Sequence, residues 1–222
     1  MKWIVITSPV CFAGEALFLR DLAEAGVDAI HLRKPESDRV AFESLLEQLE
    51  PAVRRLMVTH DYFELAASYG LRGVHLNRRH PEPPAGWTGQ LSCSCHSLEE
   101  VAQRKGSMDY VFLSPVFNSI SKQGYEAAFT DEQLDAAARK ELLDHRVMAL
   151  GGITPECAPQ LRRWHFGGGA MLGCIQRLAP LPPPSGAPGE SGGVEADTRN
   201  MVTEACGNGS PDCLPQAFFI IY

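Results

Sequence analysis

Residues 3–35, WIVITSPVCFAGEALFLRDLAEAGVDAIHLRKP, are the stretch on which the fold turns. Residues 3–7 are a short β-prone apolar run, residues 15–26 carry apolar side chains at helical spacing up to a glycine, and residues 28–33 are a second apolar run. Strand, helix and strand in this order describe a parallel pair, because parallel strands need a long crossover between them. The turn after the first strand, residues 8–14, reads SPVCFAG. An open dinucleotide-binding sheet would carry GxGxxG there.

The same alternation continues outward. Further strand-like runs are LMVTH from Leu56, GVHL from Gly73, LSCS from Leu91, DYVFLSP from Asp109, VMAL from Val147 and GAML from Gly169. Helix-prone segments lie between most of them, at 39–50, 61–70, 97–106, 131–145 and 155–164. Thr130 and Ser97 precede acidic first turns as N-caps, and Gly26, Gly70 and Gly106 stand where helices should stop. The Pro- and Gly-rich link between the fourth and fifth strands lacks an obvious helix. Eight strands with six helical crossovers place the chain in the α/β class and fit a single (β/α)₈ TIM barrel over residues 1–177 better than an open, doubly wound sheet, which periodicity alone leaves as the alternative.

After Arg177 the composition changes. Five prolines fall between Pro180 and Pro188, and large apolar residues are few until the closing AFFIIY. Such a segment buries too little to offset the entropy of ordering, so residues 178–222 are expected to be a disordered Pro/Gly-rich acidic tail. Five acids and one arginine give this tail −4 of the chain's −7, which leaves the barrel mildly acidic. No sealing helix is written after the eighth strand.

A net charge of −7 is unsuited to neutralising nucleic-acid phosphates or anionic lipid, and no apolar run is long enough to span a bilayer. The expected setting is cytoplasmic, with small phosphorylated substrates as partners and neither nucleic acid nor membrane; a homo-oligomer stays open. Seven scattered cysteines without a CxxC pair signal neither a disulfide framework nor a zinc ribbon.

Barrels of this kind carry their chemistry at the carboxyl ends of the strands, with phosphate commonly held after strands seven and eight. Both ends bear glycine here: Leu150-Gly151-Gly152-Ile153-Thr154 and Met171-Leu172-Gly173-Cys174. Glycine lets backbone N–H groups approach phosphate closely, although tight turns use it equally. The loop after strand six offers Ser119, Ser121 and Lys122, two hydroxyls on alternate residues and a cation, or else a plain exposed polar loop. Strand two ends His31-Leu32-Arg33, which alternation puts on one face; an inward Arg33 must meet an anion or a carboxylate.

Six motifs in register resemble the thiamine phosphate synthase/TenI family: Arg33 with its neighbours, His60-Asp61, Gly73-Val-His-Leu, Ser94 within Ser92-Cys-Ser-Cys-His, Ser119-x-Ser-Lys122 and Leu150-Gly-Gly-Ile. Their order and spacing agree over about residues 3–175. The resemblance implies a barrel enzyme of thiamine biosynthesis that joins hydroxymethylpyrimidine diphosphate to thiazole phosphate. Pyrophosphate is released with Mg²⁺ neutralising its charge, in a dissociative reaction where the enzyme stabilises the leaving group. It also implies roles: Arg33, Ser94 and Lys122 as catalytic contacts to pyrophosphate or pyrimidine, Ser119, Ser121, Gly152, Leu172 and Gly173 at the thiazole phosphate, and Asp61 as a metal ligand.

Departures from the family pattern cluster in the pyrophosphate half. His31 stands for a Gln, His60 for an Asn, and Pro35 for a Lys, with Lys34 displaced by one and turned elsewhere. His80 stands for the second metal carboxylate, which weakens the site for Mg²⁺. The family's thiazole tautomerases carry a His where this chain has Pro115. Three readings stay open: a synthase with an altered half-site, a TenI-like tautomerase, and a non-catalytic barrel binding thiazole phosphate or thiamine phosphate. His31, His60 and His80 beside Asp61 are expected either to hold Zn²⁺ or, protonated, to contact pyrophosphate directly. His75, His145 and His165 read as structural or exposed, and His96 as a cap of the following helix.

Overall fold

The computed structural model describes residues 1–118 and 127–172. Eight parallel strands close into a barrel in sequence order: β1 Lys2–Ile6, β2 Ala29–Leu32, β3 Met57–Thr59, β4 Gly73–Leu76, β5 Gln90–Cys95, β6 Tyr110–Leu113, β7 Val147–Leu150 and β8 Gly168–Met171. Closure is made by β8 pairing with β1, Lys2 opposite Gly168 and Trp3 opposite Gly169. A Cβ on Gly168 would lie 2.1 Å from the Lys2 carbonyl oxygen, so the close seam requires glycine there.

The helices are α1 Glu15–Glu24, α2 Arg39–Glu47, α3 Pro51–Arg54, α4 Glu64–Ser68, α5 Leu98–Arg104, α6 Asp131–Arg139 and α7 Ala158–Arg163. Each expected crossover helix is present, some shorter than the periodicity predicts. The helix from Arg39 ends at Glu47, and Pro51 opens a separate turn, since proline can start a helix but cannot continue one. Residues 131–145 are helical only to Arg139, beyond which Glu141 turns left-handed at φ 56. Gly26 and Gly70 end their helices at φ 82 and φ 64, whereas Gly106 falls inside the short 3₁₀ turn Lys105–Ser107. Thr130 forms a capping box with Gln133. Ser97, not His96, caps α5 by accepting the Glu100 N–H, because a hydroxyl at that position reaches the orphan amide. The link from Leu76 to Gln90 carries no helix, as its prolines predict.

Strand alternation sorts the side chains into two cores. Outward residues such as Val5, Ile30, Leu32, Val74, Cys93, Val111 and Ala149 pack with Leu19, Phe42, Leu46, Leu65, Val101, Leu134 and Leu161 of the helices. The four described cysteines are free, and Cys93 and Cys95 are buried here as small apolar groups. Inside the barrel, Ile4, Ile6, Ala29, Phe112, Met148 and Ala170 form the apolar half. The opposite half of the lumen is polar, with His31, His60, His75, Ser92 and Tyr110 all buried. Barrel interiors are usually filled by branched aliphatics. Among the described residues no helix is long and apolar enough to cross a membrane.

Candidate active site

The carboxyl ends of the strands open onto a cavity of about 520 Å³. Its wall is built strand by strand: Arg33 follows β2, His60 follows β3, His75 and Leu76 close β4, Ser94 lies in β5, Phe112 in β6, Leu150 in β7, and Leu172 follows β8. Arg78 enters from the β4–β5 link, and Glu100 and Arg104 from α5. Arg33, His60, Ser94 and Leu172 are thus brought together from the expected set.

A hydrogen-bonded array of imidazoles forms the floor. His31 Nε2 lies 2.5 Å from the Tyr110 hydroxyl and its Nδ1 lies 2.9 Å from His60 Nε2. His75 Nδ1 lies 2.9 Å from Ser92 Oγ, and its Nε2 lies 3.0 Å from Ser94 Oγ. The His60 and His75 rings stack at 4.2 Å and 20°. Burial lowers His75 to a pKa of about 3. It also holds His31 and His60 well below the ordinary histidine range, with neighbouring imidazoles adding to the effect. For His31 and His60 this runs against the protonated contact to pyrophosphate expected of them, because a desolvated imidazolium is costly.

His31 and His80 are also placed differently from expectation. His31 is fully buried one layer below Arg33, with both ring nitrogens engaged, and does not reach the cavity wall. His80 leaves the cluster altogether. Its ring packs on Phe63 at 4.9 Å, and its backbone N–H and C=O bond to Asn77. The histidine that joins His31 and His60 is His75, with candidate ligand nitrogens within 4.8 Å of one another. Two nearly parallel stacked rings direct their in-plane lone pairs side by side, not at one centre. The trio as it stands is a hydrogen-bonded stack and not a chelate.

Asp61 is buried, its Oδ2 accepts the Lys34 backbone N–H at 3.2 Å, and its Oδ1 is held by the Arg79 guanidinium. Mg²⁺ takes several oxygen ligands, usually with one or two carboxylates among them. Here the expected carboxylate is already paired with a cation and its expected partner position is His80, so the described residues do not fit a magnesium site. Lys34 is fully buried, its ammonium resting on Glu15 and donating to the Val10 carbonyl at 2.9 Å. It faces away from the cavity, as its displacement in the sequence predicts. Arg33 is exposed and makes no salt bridge among the described residues.

Gly151 and Gly152 adopt φ 95 and φ 65. A Cβ on Gly152 would lie 2.3 Å from the Asn118 carbonyl oxygen, and the Phe117 N–H donates to the Gly151 carbonyl at 3.0 Å. The β7 turn is therefore pressed onto the segment that leads into residues 119–122. Ser119, Ser121, Lys122 and Gly173 lie outside the described residues.

His75, Arg78, Glu100, Arg104 and Phe112 belong to the cavity and were not anticipated from the sequence. For His75 the signal was present, since alternation in Gly73-Val-His-Leu turns Val74 outward and His75 inward. The α5 residues gave none, because their approach depends on how that helix packs beside β5.

Comparison with known proteins agrees with this architecture. The family model described as thiamine monophosphate synthase matches residues 4–175. A thiamine-phosphate synthase of Bordetella bronchiseptica is 31% identical over 158 residues, spanning 64% of this chain and 72% of that protein. The thiamine-phosphate synthase of Bacteroides thetaiotaomicron is 27% identical over 168 residues, 69% and 79% of the two chains. Among solved structures, a thiamine phosphate pyrophosphorylase from Bacteroides thetaiotaomicron superposes with a TM-score of 0.72 and 40% identity, covering 78% of this chain and 83% of its own. One from Pyrococcus furiosus, at TM-score 0.62 and 21% identity over 79% and 87% of the chains, shares the fold. With the family model matching residues 4–175, most of the chain, the chain belongs to the thiamine monophosphate synthase/TenI family.

Proposed function

We propose that this chain is a thiamine phosphate synthase, joining hydroxymethylpyrimidine diphosphate to thiazole phosphate with release of pyrophosphate. One observation carries the reading: a single cavity at the catalytic end of a family barrel gathers Arg33, His60, Ser94 and Leu172 from four different strand ends. In this reaction the carbon–oxygen bond to the diphosphate breaks and its electron pair leaves on pyrophosphate. Groups that stabilise the departing anion therefore act on the transition state.

Arg33 supplies a guanidinium whose paired N–H groups match phosphate oxygens. Ser94 is oriented by His75, whose other nitrogen is in turn fixed by Ser92, so the hydroxyl is positioned without a mobile charge beneath it. The neutral imidazole floor adds no charge that would compete for the anion. Ser119, Ser121, Lys122, Gly152, Leu172 and Gly173 are assigned to the second phosphate. Gly152 supports that assignment indirectly, by seating the β6 loop on the β7 turn.

A second reading rests on one feature. His60 lines the cavity as a neutral imidazole, and a neutral imidazole can accept a proton from a substrate carbon, as a TenI-like tautomerase requires. Incubating the two synthase substrates and following thiamine phosphate by chromatography, beside deuterium exchange into thiazole phosphate by NMR, separates the two. Product that disappears in Lys122→Ala and Arg33→Ala supports the synthase. Exchange without product supports the tautomerase, and binding of thiazole phosphate with neither leaves a non-catalytic barrel.

A further inference from the structure

Among the described residues the cavity wall carries one carboxylate, Glu100, yet it is rich in fixed positive charge. Arg79 is committed to Asp61. Arg33, Arg78 and Arg104 line the cavity and are exposed, and none of them makes a salt bridge among the described residues. The acid on the cavity wall is Glu100, one oxygen of which already accepts the His96 N–H at 2.7 Å. Among the described residues, three guanidiniums and one carboxylate line the cavity, a net positive mouth on a chain whose overall charge is −7. A cleft lined by one sign of charge concentrates ligands of the opposite sign, which suits an anionic ligand.

Resting on the synthase reading above, we propose that this chain binds the diphosphate group without a divalent metal, through Arg33, Arg78 and Arg104, with Arg79 occupying the carboxylate that would otherwise recruit the ion. The chemistry is suited to the task. A guanidinium is permanently charged, is more weakly hydrated than an ammonium, and meets two phosphate oxygens at once. Magnesium would have to displace Arg79 from a buried carboxylate before it could bind there, which leaves an unpaired guanidinium next to the incoming cation. Arg78 and Arg79 are adjacent on the β4–β5 link, so one arginine closes the metal position while its neighbour faces the ligand.

Calorimetric titration of the intact chain with inorganic pyrophosphate, once in EDTA and once in millimolar Mg²⁺, tests the proposal without relying on turnover. The expected result is binding in EDTA whose affinity changes by less than about threefold with Mg²⁺ and falls about tenfold in Arg78→Ala. Arg78 is a surface residue whose truncation leaves the fold intact, and circular dichroism melting verifies this. In Arg79→Gln, which frees Asp61, the affinity is expected to become Mg²⁺-dependent. Binding that occurs only with Mg²⁺ in the unaltered chain overturns the proposal and leaves the synthase reading standing. Absence of pyrophosphate binding under both conditions removes the synthase reading itself.

Discussion

Lys34 sits one position beyond the alternating pair His31 and Arg33, and that offset carries its side chain out of the lumen to the first turn of α1. There it meets Glu15, with both side chains buried. Burial pushes the Glu15 carboxyl upward against the pull of Lys34, and Glu15 Oε2 has no partner, so the pair is held together under desolvation. Removing one member of such a pair strands the other charge. Lys34→Met is expected to destabilise the chain by about 3–5 kcal/mol, and adding Glu15→Leu should recover most of the loss. Urea denaturation of the three proteins checks this. A double variant as unstable as the single one would show that the cost lies in packing of the β1–α1 loop instead.

At the scale of elements, the turns before α1 and after β7 illustrate two demands made on glycine. Gly14 and Gly152 both hold left-handed backbone, at φ 83 and φ 65, but a Cβ on Gly14 would meet nothing within 4 Å while one on Gly152 would run into Asn118. Gly14→Ala should therefore cost only the backbone strain, about 1 kcal/mol, and Gly152→Ala distinctly more than about 2 kcal/mol. Thermal melting of the two variants measures the difference. Because Gly152 seats the segment entering residues 119–122, weaker thiazole phosphate binding is expected to accompany the lost stability. The pairing of GG with the end of strand seven was legible in the sequence, whereas the partner of the close approach was not. The chain places Asn118 more than thirty residues earlier, and only the β6–β7 register brings the two together.

For the molecule as a whole, a lumen half filled with neutral imidazoles couples stability to acid. His31 and His75 stay unprotonated in the barrel but take up protons in the unfolded chain below the ordinary histidine pKa of about 6.5. The unfolded state then binds more protons, so stability falls as pH falls through that value and continues to fall toward the folded pKa of about 3 of His75. Going from about pH 7.5 to about pH 5.5 should remove about 4 kcal/mol from these two residues together with His60, which burial lowers likewise. Urea midpoints at the two pH values give the number, and His75→Asn should make the dependence shallower. A stability independent of pH over this window would mean that the histidines are solvated or charged in the folded chain.

Local information fixed a good deal. The alternation of short apolar runs with helical segments, the caps at Ser97 and Thr130, the helix stops at Gly26 and Gly70 and the helix-free proline link are all written within a few residues of where they act. The eight strands, and through them the positions of Arg33, His60, Ser94 and Leu172 at one mouth, follow from that pattern. What tertiary structure alone decided is partnership across the barrel: that Arg79 takes Asp61, that Phe63 takes the His80 ring, and that His75 completes the imidazole floor. Sequence periodicity specifies which way a side chain leaves its strand. It carries no information on which distant group that side chain meets, because this depends on barrel closure and on the conformation of links such as residues 77–89.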